Sequence, residues 1–140
     1  MSKIVSAKGT CLCGSVNLES ATVNTDLGAC HCSMCRKWSA GPFLALDCGT
    51  DVIIDGQENV SVYSSSDWAE RAFCNKCGSL LFYRLKETNQ HIVSSELFEN
   101  LELNFDHQIF IEEKPKHYDF SNKTKNMTGA EVFAAFAPKP

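Results

Sequence analysis

The sequence predicts a mainly β fold, and three observations carry that expectation. Helical periodicity is weak, while short apolar or alternating runs are frequent. Turn residues separate those runs at short intervals. The length of 140 residues fits one domain better than two, so a single domain over 1–140 is expected.

The elements follow in order. Cys13 to Glu19 alternates after Gly14, as a half-buried strand does. Phe43-Leu44-Ala45-Leu46, Val52-Ile53-Ile54 and Val60-Ser61-Val62-Tyr63 are short β-type runs. Turn residues from Asp47 to Asp51, and Asp55-Gly56, part them. Ser79 to Leu85 is the longest candidate for a buried strand, and His91 to Leu97 and His107 to Glu112 follow. Helical turns are expected in two places. One is Ser33 to Trp38. The other is Thr128 to Phe136, where Thr128 and Glu131 form a capping-box pair and Pro138 is the expected stop. The polar stretch from Glu113 to Asn126 is expected at the surface. Trp38, Phe43, Tyr63, Trp68, Phe73 and Phe82 are read as core or pocket wall.

Apolar residues make up 44 % and charged residues 21 %, which excludes a disordered composition. A net charge of −4 argues against nucleic-acid or membrane-surface binding. No secretory-type apolar run follows Met1, and none approaches the roughly 20 apolar residues of a membrane helix. A cytoplasmic, reducing setting is therefore expected, and it favours metal ligands over disulfides.

Seven of the eight cysteines fall in three clusters: Cys11 with Cys13; Cys30, Cys32 and Cys35; and Cys74 with Cys77. A structural zinc takes four protein ligands, and a catalytic one takes three plus an open position. Cys11 and Cys13 point to the same side if the chain is extended. Cys74-x-x-Cys77-Gly78 has zinc-knuckle spacing, with the glycine free to turn the backbone toward the sulfurs. These four form one expected site, a structural staple. Cys30, Cys32 and Cys35 form the second, giving two zinc ions per chain. Its fourth position is open to water, a substrate thiolate, His31 or Cys48. His31 points away from its neighbours in extended chain, so it reads as a hydrogen bonder. Cys48 is either a buried free cysteine or the ligand that closes the second site. Arg36 and Lys37 are candidates for substrate contacts, whereas Arg71 and Lys76 read as charge compensation for the thiolates. His91, His107 and His117 lack ligand spacing. No Ser-His-Asp signature, phosphate loop or dinucleotide fingerprint occurs.

Taken in order, these residues resemble a known family. Gly9, Cys11, Cys13, Gly14 and Val16 come first, then Cys30-His31-Cys32-Ser33, Cys35-Arg36-Lys37 and Ala40-Gly41. Tyr63 with Ser65-Ser66 follows, then Arg71, Phe73-Cys74, Cys77-Gly78-Ser79 and Leu81. His107 to Tyr118, with Lys114-Pro115, closes the pattern. It is similar to the glutathione-dependent formaldehyde-activating enzyme family, related to the centromere protein V group, over about residues 9–118. The resemblance implies packed antiparallel sheets in a β-tent. It implies a structural zinc on Cys11, Cys13, Cys74 and Cys77, and a second zinc on Cys30, Cys32 and Cys35 where a thiol binds. The implied activity is that of a carbon–sulfur lyase acting on a glutathione-like thiol and a small aldehyde such as formaldehyde. A non-catalytic, zinc-stabilised binding module is the alternative. The segment after Asp119 carries no matching motif.

Overall fold

The computed structural model describes residues 3–136, so the stop expected at Pro138 lies outside the described residues. β1 (Ile4–Thr10) and β2 (Asn17–Asn24) form an antiparallel hairpin. β5 (Ile53–Asp55) joins β2 to complete a three-stranded sheet. The larger sheet contains β3 (Asp26–Cys30), β4 (Phe43–Asp47), β6 (Val60–Tyr63), β7 (Ala69–Cys74) and β8 (Leu80–Leu85). It is completed by β9 (His91–Ser94), β10 (Asn104–Ile109) and β11 (Lys125–Met127). Its order is β11-β10-β3-β4-β9-β8-β7-β6. Two helices, α1 (Ser33–Ser39) and α2 (Gly129–Phe136), stand on the expected segments. Among the described residues no helix is long and apolar enough to cross a membrane.

The large sheet is not wholly antiparallel. β10 runs parallel to both β3 and β11. Parallel neighbours need a long crossover. Here the whole excursion through β4 to β9 supplies it and returns the chain beside β3.

Strand alternation gives the large sheet two different faces. One packs against the small sheet and holds Val16, Leu18, Val23, Leu46, Leu81, Phe82 and Val93 in the main core. The other presents Phe43, Ala45, Tyr83, Ile92 and Ile109 beside Cys30. β4 shows the division: Leu46 belongs to the first face, Phe43 and Ala45 to the second. Tyr63, expected inside, is 66 % exposed because it lies on the edge strand β6.

Candidate functional site

Cys11 follows β1, Cys13 lies two residues on, Cys74 ends β7 and Cys77 lies in the turn before β8. Their four sulfurs lie within 4.8 Å of one another. Cys11 and Cys13 Sγ are 3.7 Å apart, and Cys13 and Cys74 Sγ 3.8 Å. A zinc–sulfur bond of about 2.3 Å implies a tetrahedral edge of about 3.8 Å, so the donor set fits that metal. Cys11 and Cys13 converge through a turn rather than through strand alternation. The Gly14 N–H donates to the Cys11 carbonyl at 3.1 Å, and Gly14 has φ 81°. In the second half the Gly78 N–H donates to the Cys74 carbonyl at 2.8 Å, with φ 76°. The Ser79 hydroxyl and backbone beside Cys77 hold its thiol down to about 5.

The inner trio forms where β3 passes into α1. Cys30 ends the strand, Cys32 N-caps the helix, and Cys35 lies in its first turn. Their sulfurs also lie within 4.8 Å of one another, and their exposures are 4 %, 6 % and 1 %. Hydrogen bonds from Cys30 and Cys35 hold the Cys32 thiol down to about 2, helped by the Cys35 backbone N–H. Cys30, the donor to both neighbours and itself buried, is pushed far above the thiol range.

Arg71 is the cation of this cluster. It is 4 % exposed, and its Nη1 lies 3.5 Å from Cys35 Sγ. Its guanidinium lies 5.0 Å from the Trp38 ring centre and 5.5 Å from that of Tyr83. Its Nε is buried and has no hydrogen-bond partner among the described residues. Among the described residues no carboxylate pairs with it. A buried cation needs a partner charge, and the sulfurs are what it touches. Zinc with three thiolates carries a net −1, which balances one guanidinium, so the donor set and its surroundings fit that ion too.

The other candidate residues take different places. His31 is fully buried and hydrogen bonds through Nδ1 to the Tyr118 hydroxyl at 2.9 Å and through Nε2 to Gln108 Oε1 at 2.7 Å. It is a hydrogen bonder, as its position implied. Cys48 belongs to the opposite core with Leu46, outside both clusters, and burial pushes its thiol up to about 12. Arg36 Nε turns back to the His31 carbonyl at 3.0 Å, and neither Arg36 nor Lys37 lines the cavity described next.

A cavity of about 600 Å³ lies on the Cys30 face of the large sheet. That is within the roughly 300–1,000 Å³ of small-molecule sites. Cys30 lines it, with Phe43, Tyr83, Ile109 and Phe110 as walls. α2 covers part of it: Phe133 meets Trp68 and Phe110 edge-on, at centroid distances of 5.6 and 5.8 Å. Asp106 and His107 line the same space. Phe43 and Trp68, read from the sequence as core or pocket wall, line this space, whereas the shares of β10 and α2 were not legible because the wall draws on strands and a helix remote in sequence. The capping-box pair at Thr128 and Glu131 was the local signal of α2, and both bonds form, Glu131 N–H to Thr128 Oγ1 and Thr128 N–H to Glu131 Oε1.

The chain matches the family described as glutathione-dependent formaldehyde-activating enzyme over residues 6–113. It is 39 % identical over 127 residues to an uncharacterized lyase of Schizosaccharomyces pombe, covering 89 % of this chain and 93 % of that protein. It is 30 % identical over 84 residues to a Halomonas elongata protein named as a glutathione-dependent formaldehyde-activating enzyme of that provisional assignment, covering 54 % of each. A solved structure of a Rhodobacter sphaeroides protein superposes with a TM-score of 0.58 at 26 % identity, covering 70 % of this chain and 98 % of that one.

Proposed function

Since this chain belongs to the glutathione-dependent formaldehyde-activating enzyme family, we propose that it is a lyase-type enzyme. It joins a small thiol to a small aldehyde, and parts them again, at the centre formed by Cys30, Cys32 and Cys35. The observation that carries this reading is an incomplete donor set facing a cavity. Three buried thiols gather beside Arg71, and Cys30 opens onto about 600 Å³ of mostly apolar space. The candidate fourth cysteine, Cys48, packs in the other core. The assignment of zinc to both cysteine sets, and of a glutathione-like thiol as partner, is part of the same proposal.

Cys30, Cys32 and Cys35 would hold the second zinc, and Cys11, Cys13, Cys74 and Cys77 the structural one. Bound at the inner set, zinc supplies Lewis acidity that favours the thiolate form of an incoming thiol at neutral pH. Arg71 compensates the charge of the cluster. Phe43, Tyr83, Ile109 and Phe110 shield the reacting atoms from water and narrow the positions open to them. Holding sulfur beside a carbonyl carbon converts an encounter into an oriented contact, which lowers the barrier. The new bond is carbon–sulfur. The carbonyl π pair moves to oxygen, which takes up a proton, so nothing is oxidised or reduced.

Zinc per chain, measured for the wild type and for Cys32→Ser with and without excess glutathione, tests the assignment. Two zincs are expected in the wild type and one in the variant, and the inner ion responds to added thiol. Thiol-dependent loss of formaldehyde above the spontaneous rate tests the reaction. Two zincs indifferent to thiol, with no such loss, would instead leave a metal-stapled binding module.

A further inference from the structure

We propose that His107, aimed by Asp106, carries the proton in this reaction; the inference rests on the lyase reading above. Three features of the fold place and orient the pair at the cavity.

The first is a β-bulge. Where β10 pairs with β3, Phe105 faces Leu27 and His107 faces Gly28, so Asp106 is one residue more than its partner strand provides. In a regular strand Asp106 and His107 would point to opposite faces of the sheet. Both instead line the cavity. Bulges recur beside active sites, where they re-aim a side chain.

The second is the bond that this re-aiming permits. His107 Nδ1 lies 2.6 Å from Asp106 Oδ1. A carboxylate only accepts, so Nδ1 carries the proton of this bond, and whenever the ring is neutral Nε2 presents its lone pair. Nε2 makes no hydrogen bond among the described residues.

The third is the strand beneath the ring. A methyl group at position 28 would collide with His107 Nε2 and its neighbouring ring carbons. Glycine at 28 therefore leaves room for the imidazole to lie across β3. Gly28 and Cys30 line the cavity two residues apart on β3, a step of about 7 Å along a strand. The imidazole over Gly28 and the sulfur of Cys30 therefore border the same cavity, in which a small aldehyde would have to sit.

The step balances. The thiol S–H gives its proton to Nε2, and the sulfur pair forms the bond to the carbonyl carbon. The carbonyl π pair moves to oxygen, and Nε2–H returns the proton there. The ring ends as it began, and the reverse sequence parts the adduct. Asp106 is a positioning residue that fixes the tautomer. The other charged or titratable groups lining the cavity are Asp26 and Cys30 on β3, Asp47 on β4, Tyr83 on β8, Lys125 on β11, and Glu87 between β8 and β9.

The test compares the zinc-loaded full chain with His107→Gln, His107→Asn and Asp106→Asn. Zinc per chain, glutathione binding and formaldehyde consumption are measured across pH, with imidazole ¹⁵N spectra of the wild type. Both His107 variants are expected to keep two zincs and glutathione binding and to lose about 100-fold or more in kcat, the scale of general acid–base catalysis. Their rate loses the acidic limb of the pH profile. Asp106→Asn loses about tenfold and shows a changed tautomer balance. In the wild type the Nε2 resonance moves when glutathione is added. An active wild type whose His107 variants keep its kcat and pH profile would overturn the proposal and spare the lyase reading. So would an Nε2 resonance unmoved by saturating glutathione. A wild type with no thiol-dependent consumption overturns both. If the His107 variants lose zinc, Asp106→Asn and the wild-type spectra decide.

Discussion

Arg71 stands where charge and packing are hardest to separate. It is buried, it touches Cys35 Sγ at 3.5 Å, and it lies between the rings of Trp38 and Tyr83. The sequence placed a basic residue three positions before Cys74, beside the outer pair. The pleat of β7 turns it instead toward the inner trio, a relation that sequence spacing does not contain. Arg71→Met keeps most of the apolar stem and removes the charge. Outer partners of a metal site typically account for 10- to 100-fold in affinity, so zinc at the inner centre is expected to weaken by about that factor. Arg71→Lys restores the charge without the guanidinium that lies over the Trp38 and Tyr83 rings, and falls between. Competition with a zinc chelator measures it, and an inner affinity unchanged in Arg71→Met would remove Arg71 as the countercharge. His91 offers a separate test. It is 6 % exposed, its Nδ1 has no hydrogen-bond partner among the described residues, and burial holds its imidazole below the ordinary value of 6.5. The unfolded chain therefore gains a proton before the folded one as pH falls. The stability from neutral His91 is present above pH about 6.5 and is lost as pH falls through the lower, folded value. His91→Phe keeps a ring against Phe82, which lies at a centroid distance of 4.8 Å, and does not titrate. The drop in urea midpoint from pH 7.5 to 5 should be smaller in that variant. An equal drop would show that His91 does not contribute.

At the scale of elements, the sequence marked strands with β-branched or aromatic runs well and marked others poorly. β6 and β8 stand where Val60 to Tyr63 and Ser79 to Leu85 implied. β3 was missed because Asp26-Leu27-Gly28-Ala29-Cys30 has little intrinsic strand preference. Its place between β10 and β4 makes it a strand. β7 was missed because it carries Glu70 and Arg71, and the buried Arg71 breaks the apolar pattern. The polar stretch ending at Asn126 runs into β11, whose short pairing with β10 is set by the neighbouring strand. α2 had a cap but no role, since the residues it covers are remote in sequence. It packs Phe133 against Trp68 and Phe110 over the cavity, and among the described residues neither core cluster draws a side chain from it. A chain ended at Met127 is therefore expected to fold and to keep its zinc content. Its KM for glutathione should rise on the order of tenfold as the cover that positions the substrate is lost. Steady-state kinetics beside a zinc assay check this. An unchanged KM would make α2 an ornament of the surface rather than a wall of the site.

At the scale of the whole molecule, the two cysteine sets sit in different cores and are expected to fail differently. Cys11 and Cys74 belong to the core between the sheets, while Cys30, Cys32 and Cys35 belong to the cluster on the far face. The outer set joins the β1–β2 hairpin to β7 across 61 residues of chain. Closing a loop of that size stabilises a fold by about 4 kcal/mol in the chain-entropy account used for disulfides. A domain of this kind has only about 5–15 kcal/mol of net stability. The outer metal is thus expected to be part of folding itself, as in other small structural zinc sites. The inner set ties β3 to the helix that directly follows it, so it closes almost no loop. Cys77→Ser should therefore lower the thermal midpoint sharply or leave the chain unfolded. Cys32→Ser should leave a folded protein with one zinc, a midpoint lower by only a few degrees and no thiol-dependent reaction. Stepwise chelation should give the same order, with activity lost before near-ultraviolet circular dichroism. Should Cys32→Ser unfold the chain as readily as Cys77→Ser, both sets would be staples, and the division between a centre that holds the fold and one that meets substrate would fail.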